Sequence, residues 1–197
     1  MVGTHRFGRA LLLVLGAFIA LTSSARTQPG RTTHSYRLMM AGSDIGRARY
    51  TIKREDGTAS SSLLVTMRLK QAGQATKVEL HGALRFKTTD YDPVEYNLVI
   101  FSNGAKQADI HVEVRDDRAL ASVEAPGFGS KDFKLPVQPG TLILDNNFCV
   151  DHYQTMLWRF TKSGVDSTTY AFLVPQILLR IQKSFQITLK KVGLDST

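Results

Sequence analysis

The sequence predicts a mainly β protein: a curved antiparallel meander, or half-barrel, with one amphipathic helix packed on its concave face. Three observations predict it. Apolar and polar residues alternate at period 2 through most of the chain beyond residue 34. The alternating runs are separated by short turns rich in Gly, Asp and Asn. A period near 3.6 shows clearly only once after the N-terminal stretch, from Phe148 onward. Strict alternation gives each strand one dry and one wet face, which suits an antiparallel sheet; a parallel α/β sheet buries both. The 197 residues bound the chain to one domain, two at most, and 43% hydrophobic with 21% charged residues excludes wholesale disorder, collagen and a polytopic membrane protein.

Residues 1–25 read as a secretory signal peptide. Arg6 and Arg9 give a positive start, residues 10–21 (ALLLVLGAFIAL) form an uncharged apolar run, and small residues precede a cleavage point after Ala25. The run is short of the ~20 residues that span a bilayer. The expected organisation is therefore a signal peptide over 1–25 and a single antiparallel β-domain over 26–197, periplasmic or secreted, with no membrane span after cleavage. The formal charge of +8 falls to +6 when Arg6 and Arg9 leave with the leader. Its basic residues are dispersed, which suits solubility or attraction to an anionic envelope component, and an exported chain does not meet nucleic acid. A single cysteine, Cys149, excludes an internal disulfide and a multi-cysteine zinc site.

The strands follow in order. Tyr36, Leu38 and Met40 alternate with Ser35, Arg37 and Met39, and a turn at 42–46 leads to Ala48, Tyr50 and Ile52. Asp56-Gly57 is a hairpin signal. Leu63, Val65, Met67 and Leu69 form the next inward row, then Val78, Leu80, Gly82, Leu84 and Phe86. Tyr96, Leu98 and Ile100 precede a tight turn at Asn103-Gly104; Ala108, Ile110, Val112 and Val114 follow, then Ala119, Ala121 and Val123. Residues 126–140 are rich in Gly and Pro and read as loop. The helix is expected near 147–162, capped by Asp145, Asn146 or Asn147 and stopped by Gly164. Tyr170, Phe172 and Val174 read as a strand, 177–181 as strand or helix, and Phe185, Ile187 and Leu189 as a last strand.

Several short stretches resemble a known family: Tyr36-Arg37-Leu38-Met39-Met40-Ala41-Gly42-Ser43-Asp44-Ile45-Gly46 with Tyr50-Thr51-Ile52, then Leu144-Asp145-Asn146-Asn147-Phe148, His152-Tyr153 and Phe172-Leu173-Val174-Pro175-Gln176. The first hairpin resembles that of secreted bacterial β-domain proteins of unknown function, whose fold is similar to the half-barrel of periplasmic lipoprotein carriers. The later order is similar to β-domains that stand alone or ahead of a hydrolase domain in exported bacterial proteins. The resemblance covers most of residues 33–193 and implies a fold and a compartment. It carries over no catalytic residues and no cofactor.

Candidate chemistry is sparse. Asp109, His111 and Glu113 share one face of a strand, but same-face residues sit ~7 Å apart and converge poorly on a metal ion, so they read as a solvated face. Asp151 and His152 are adjacent, and adjacent helical positions point about 100° apart, so Asp151 does not orient His152 as in an acid/base pair. No serine stands in a G-x-S-x-G elbow. Cys149 and His152 sit at helical i, i+3 spacing, yet an isolated cysteine is more often a small buried hydrophobe. Tyr36, Leu38, Met40, Tyr153, Leu157, Trp158 and Phe160 are the candidate lining of an apolar ligand groove; Asp145, Asn146, Asn147 and His152 form a candidate polar cluster. The preferred reading is an exported, non-enzymatic β-domain that binds an apolar ligand, such as a lipid or acyl chain, or an apolar polypeptide segment. The alternative is an accessory or N-terminal domain of an exported hydrolase.

Overall fold

The computed structural model describes residues 23–71, 74–145 and 149–192. Among them, nine strands form one antiparallel sheet in chain order: β1 (Ser23–Gln28), β2 (Arg31–Met40), β3 (Ser43–Arg54), β4 (Thr58–Gln71), β5 (Gln74–Lys87), β6 (Pro93–Ser102), β7 (Ala105–Arg115), β8 (Arg118–Ala125) and β9 (Gly129–Pro136). Each strand pairs with its chain neighbours, as a meander requires, and β1 and β9 are the two edges of an unclosed sheet.

Period-2 burial runs through the sheet. Ala48, Tyr50 and Ile52 are buried while Arg47, Arg49 and Lys53 are exposed or half-buried, and the same alternation sets Leu80, Leu84 and Phe86 against His81, Arg85 and Lys87. One contiguous core takes in Leu38 on β2, Tyr96 on β6 and Leu135 on β9. Strands ~4.8 Å apart would spread nine-wide over roughly 40 Å if flat. A single buried cluster reaching from β2 to β9, covered by one helix, suits a curved sheet. Tight turns make the curl possible; Asn103 and Gly104 both have positive φ (49° and 83°), the geometry of a two-residue hairpin turn.

A second, three-stranded sheet follows: β10 (Leu142–Ile143), β11 (Ser167–Leu173) and β12 (Phe185–Lys190). Its β10–β11 pair is parallel. Parallel neighbours need a crossover, and the helix α1 (Val150–Ser163) supplies it. The helix ends as the sequence predicts, at Gly164 in the left-handed conformation (φ 72°). It contacts both sheets: Val150 and Trp158, with Cys149 just before them, join the large core, while Met156 and Phe160 pack with Leu142, Leu144 and Tyr170 of the small sheet.

Some boundaries differ from expectation. The loop-rich stretch contains β9, an edge strand in which Phe133 and Leu135 pair with Ala121 and Ala119 of β8. Its exposed lysines Lys131 and Lys134, with Pro136 at its end, are what an edge strand tolerates. The turn expected at 42–46 is tighter, Ala41 and Gly42 alone, so Ser43 already pairs with Met40. A 3₁₀ turn at Pro175–Ile177 opens the ambiguous segment. Residues 1–22 of the expected leader lie outside the described residues, and its last three, Ser23, Ser24 and Ala25, are the first residues of β1.

Candidate functional site

The inward rows of the large sheet are not wholly apolar. Ser61 shares the face of Leu63, Val65 and Met67 on β4 and is buried, and Tyr50 and Tyr96 carry hydroxyls into the core. A buried hydroxyl needs a partner, and α1 with the loop before it provides one for each. Tyr50 donates to Gln154 Oε1, and its oxygen lies 3.2 Å from Tyr36 Oη. Ser61 Oγ donates to Asp151 Oδ2 at 2.5 Å. Tyr96 donates to Asp145 Oδ2. The Asp145 N–H donates to His152 Nδ1 at 3.1 Å, which places the imidazole proton on Nε2 when the ring is neutral. The Tyr96 ring meets His152 edge-on, centroids 5.0 Å apart.

This junction is dry: Asp145, Cys149, Asp151 and His152 are each at most 2% exposed. Burial pushes the Cys149 thiol well above its ordinary value, and the neighbouring Asp145 and Asp151 charges push it further. Burial and the Asp145 charge do the same to the Tyr96 hydroxyl. A thiol held protonated and shut off from solvent is the opposite of an activated nucleophile. Asp151 turns to Ser61 and its backbone carbonyl accepts from Thr155 Oγ1, so it does not orient His152. The junction ties helix to sheet.

The candidate groove residues fall in several places. Leu38 is in the large core, with Tyr36 and Met40 packed at its margin. Phe160 belongs to the small-sheet cluster. Tyr153 and Leu157, one helical turn apart, are 40% and 51% exposed. Trp158 lies against Tyr91, with Arg54 over its ring at 5.7 Å. Of the candidate polar cluster, Asp145 and His152 meet; Asn146 and Asn147 lie outside the described residues. The N-cap of α1 is Cys149, and no side chain makes the capping hydrogen bond expected of Asp145. On the outer face, Asp109 pairs with Lys106, His111 with Asn97 and Glu113 with Arg115. Among the described residues no three His, Cys, Asp or Glu side chains gather as a metal site.

An accessible cleft of about 360 Å³ lies where the β1–β2 turn, the end of β3 and α1 meet. Residues 27–32, His34, Ile52, Arg54 and Trp158 line it. Thr32 pairs with Ile52 and His34 with Tyr50, so the floor of the cleft continues the inward face of the sheet. His34 stacks on Tyr50 at 4.8 Å, and burial lowers its pKa. Sequence reasoning named Trp158 but missed His34 and Arg54, because the polar stretch before Ser35 gave no hint that it paired. The signal available was the parity of Arg54 with Tyr50 and Ile52.

No helix among the described residues is long and apolar enough to cross a membrane. Comparison of the chain with known protein families, with curated proteins and with solved structures finds no match.

Proposed function

We propose that the chain is an exported, non-enzymatic β-domain that holds an apolar ligand, or the apolar part of one, in the cleft beside Trp158. The observation that carries the reading is the cleft itself. It opens on the inner face of the curled sheet, between sheet and helix, and offers Ile52 and the Trp158 ring as contact surface. Its volume is at the lower end of the range of ligand clefts. The buried polar side chains of the junction are engaged in binding helix to sheet, and neither Cys149 nor His152 lines the cleft. No cofactor is implied.

Export rests on the leader pattern of residues 1–25. Cleavage after Ala25 keeps every lining residue of the cleft in the mature chain, since the lining begins at Thr27. The test is native mass spectrometry of the chain recovered from the exported fraction. The expected spectrum shows a mature mass beginning at Arg26 and an adduct that organic solvent extracts. A chain retained unprocessed in the cytoplasm overturns the export, and a spectrum without adduct that no added amphiphile changes overturns the ligand.

A further inference from the structure

We propose that the cleft selects an anionic amphiphile, its charged end held by Arg54 and its apolar part against Ile52 and Trp158. This rests on the ligand reading above and names the ligand's chemistry. Arg54 and Arg31 both border the cleft, and no aspartate or glutamate does. Among the described residues neither arginine makes an ion pair, whereas Lys53 beside them is held by Glu55 at 2.7 Å. Arg54 follows the inward parity of Tyr50 and Ile52, whereas Arg31 pairs with Lys53 on the other face of the β2–β3 pair, so Arg54 is the arginine placed to meet a ligand on the cleft floor.

Arg54 is positioned rather than loose. Its backbone N–H donates to Gly30 O at 2.9 Å, which pins the end of β3 to the β1–β2 turn, and its guanidinium lies over the Trp158 ring. A planar guanidinium on an aromatic face keeps its edge N–H groups available for a phosphate. The cleft therefore places a guanidinium anion site next to an apolar surface.

Trp158 is the chain's one tryptophan, so its fluorescence reports occupancy of the cleft. The experiment titrates the purified chain with decyl phosphate below its micelle concentration, and in parallel with decyl maltoside and inorganic phosphate. Decyl phosphate is expected to bind at least tenfold tighter than either. Arg54→Gln is expected to remove at least tenfold of that affinity, with Arg54→Lys between, and added salt is expected to weaken the wild-type interaction. The salt series needs no variant, so it holds even where a substitution disturbs folding. Equal binding of decyl maltoside, indifferent to salt and to Arg54→Gln, overturns the anionic selection and leaves the apolar-ligand reading standing. Inorganic phosphate binding as tightly as decyl phosphate overturns the amphiphile in favour of a free anion. No response to any of the three overturns both readings.

Discussion

Ser61 on β4 donates its hydroxyl to Asp151 on α1 at 2.5 Å, across ninety residues of sequence. Both are buried, at 1% exposure each, and Asp151 Oδ1 accepts no hydrogen bond from any described residue. The bond joins the first turn of the helix to the inner face of the sheet.

Ser61→Ala should therefore cost more than its size suggests. It strips the donor from a carboxylate shut away from the surface, at about 1–3 kcal/mol. Asp151→Leu leaves the buried Ser61 hydroxyl against an apolar side chain with no acceptor, at a similar cost. The double variant Ser61→Ala/Asp151→Leu replaces both partners by apolar groups and should recover part of the loss. Urea unfolding of the four proteins measures this; strictly additive losses would show that the two residues do not act as a pair.

Cys149 should be inert in the folded chain. Its side chain has no exposure and burial holds the thiol protonated. A thiol reagent at pH 8 can then reach it only through opening of the helix–sheet junction. An opening free energy of ~4 kcal/mol slows labelling by a factor on the order of 10³ relative to the urea-unfolded chain. Comparable rates in the two states would place the thiol at the surface.

The strand pattern was legible because period-2 alternation is a local property, and the inward rows of β3 to β8 match the buried rows. Two kinds of feature were not. β1 and β9 are edge strands whose alternation is diluted by Thr, Lys, Gly and Pro, since an edge has less core to face. The buried junction joins Tyr96 to Asp145 and Ser61 to Asp151, 49 and 90 residues apart. No period in the sequence encodes such distances. One trace was present: Ser61 occupies an inward position between Ala59 and Leu63, and a polar residue there demands a polar partner.

Gly46 should not tolerate a side chain. It lies in β3 opposite Leu38 of β2 and Met67 of β4. A Cβ there would overlap Thr66 O and stand 2.8 Å from Met67 Cα, both backbone atoms, and φ is +155°. Gly46→Ala should cost about 3 kcal/mol or more, through displaced backbone and strain. Gly82 is the control: the nearest atoms a Cβ would meet there are those of the Leu63 side chain, at 3.4 Å. Gly82→Ala should change stability by less than ~1 kcal/mol. Thermal unfolding of the two variants checks the contrast, and equal effects would contradict the β3 register.

His34 should make stability depend on pH near neutrality. Burial lowers its pKa from the ordinary 6.5. The groups around it are the Tyr50 and Tyr36 rings, with Arg31, Arg54 and Trp158 also lining the cleft; no carboxylate lines that space. The folded chain therefore takes up the His34 proton at a lower pH than the unfolded chain does. Its contribution is intact above about pH 6.5 and is lost as pH falls through that value toward the folded pKa. His34→Gln should flatten this part of the profile, and the difference between the two proteins isolates His34 from the other histidines. An anion in the cleft favours the protonated ring, so decyl phosphate should shrink the difference. Chemical unfolding from pH 7.5 to 5 with and without decyl phosphate measures both effects; a wild-type advantage that grows as pH falls would mean the ring gains a negative partner on folding, which this cleft does not contain.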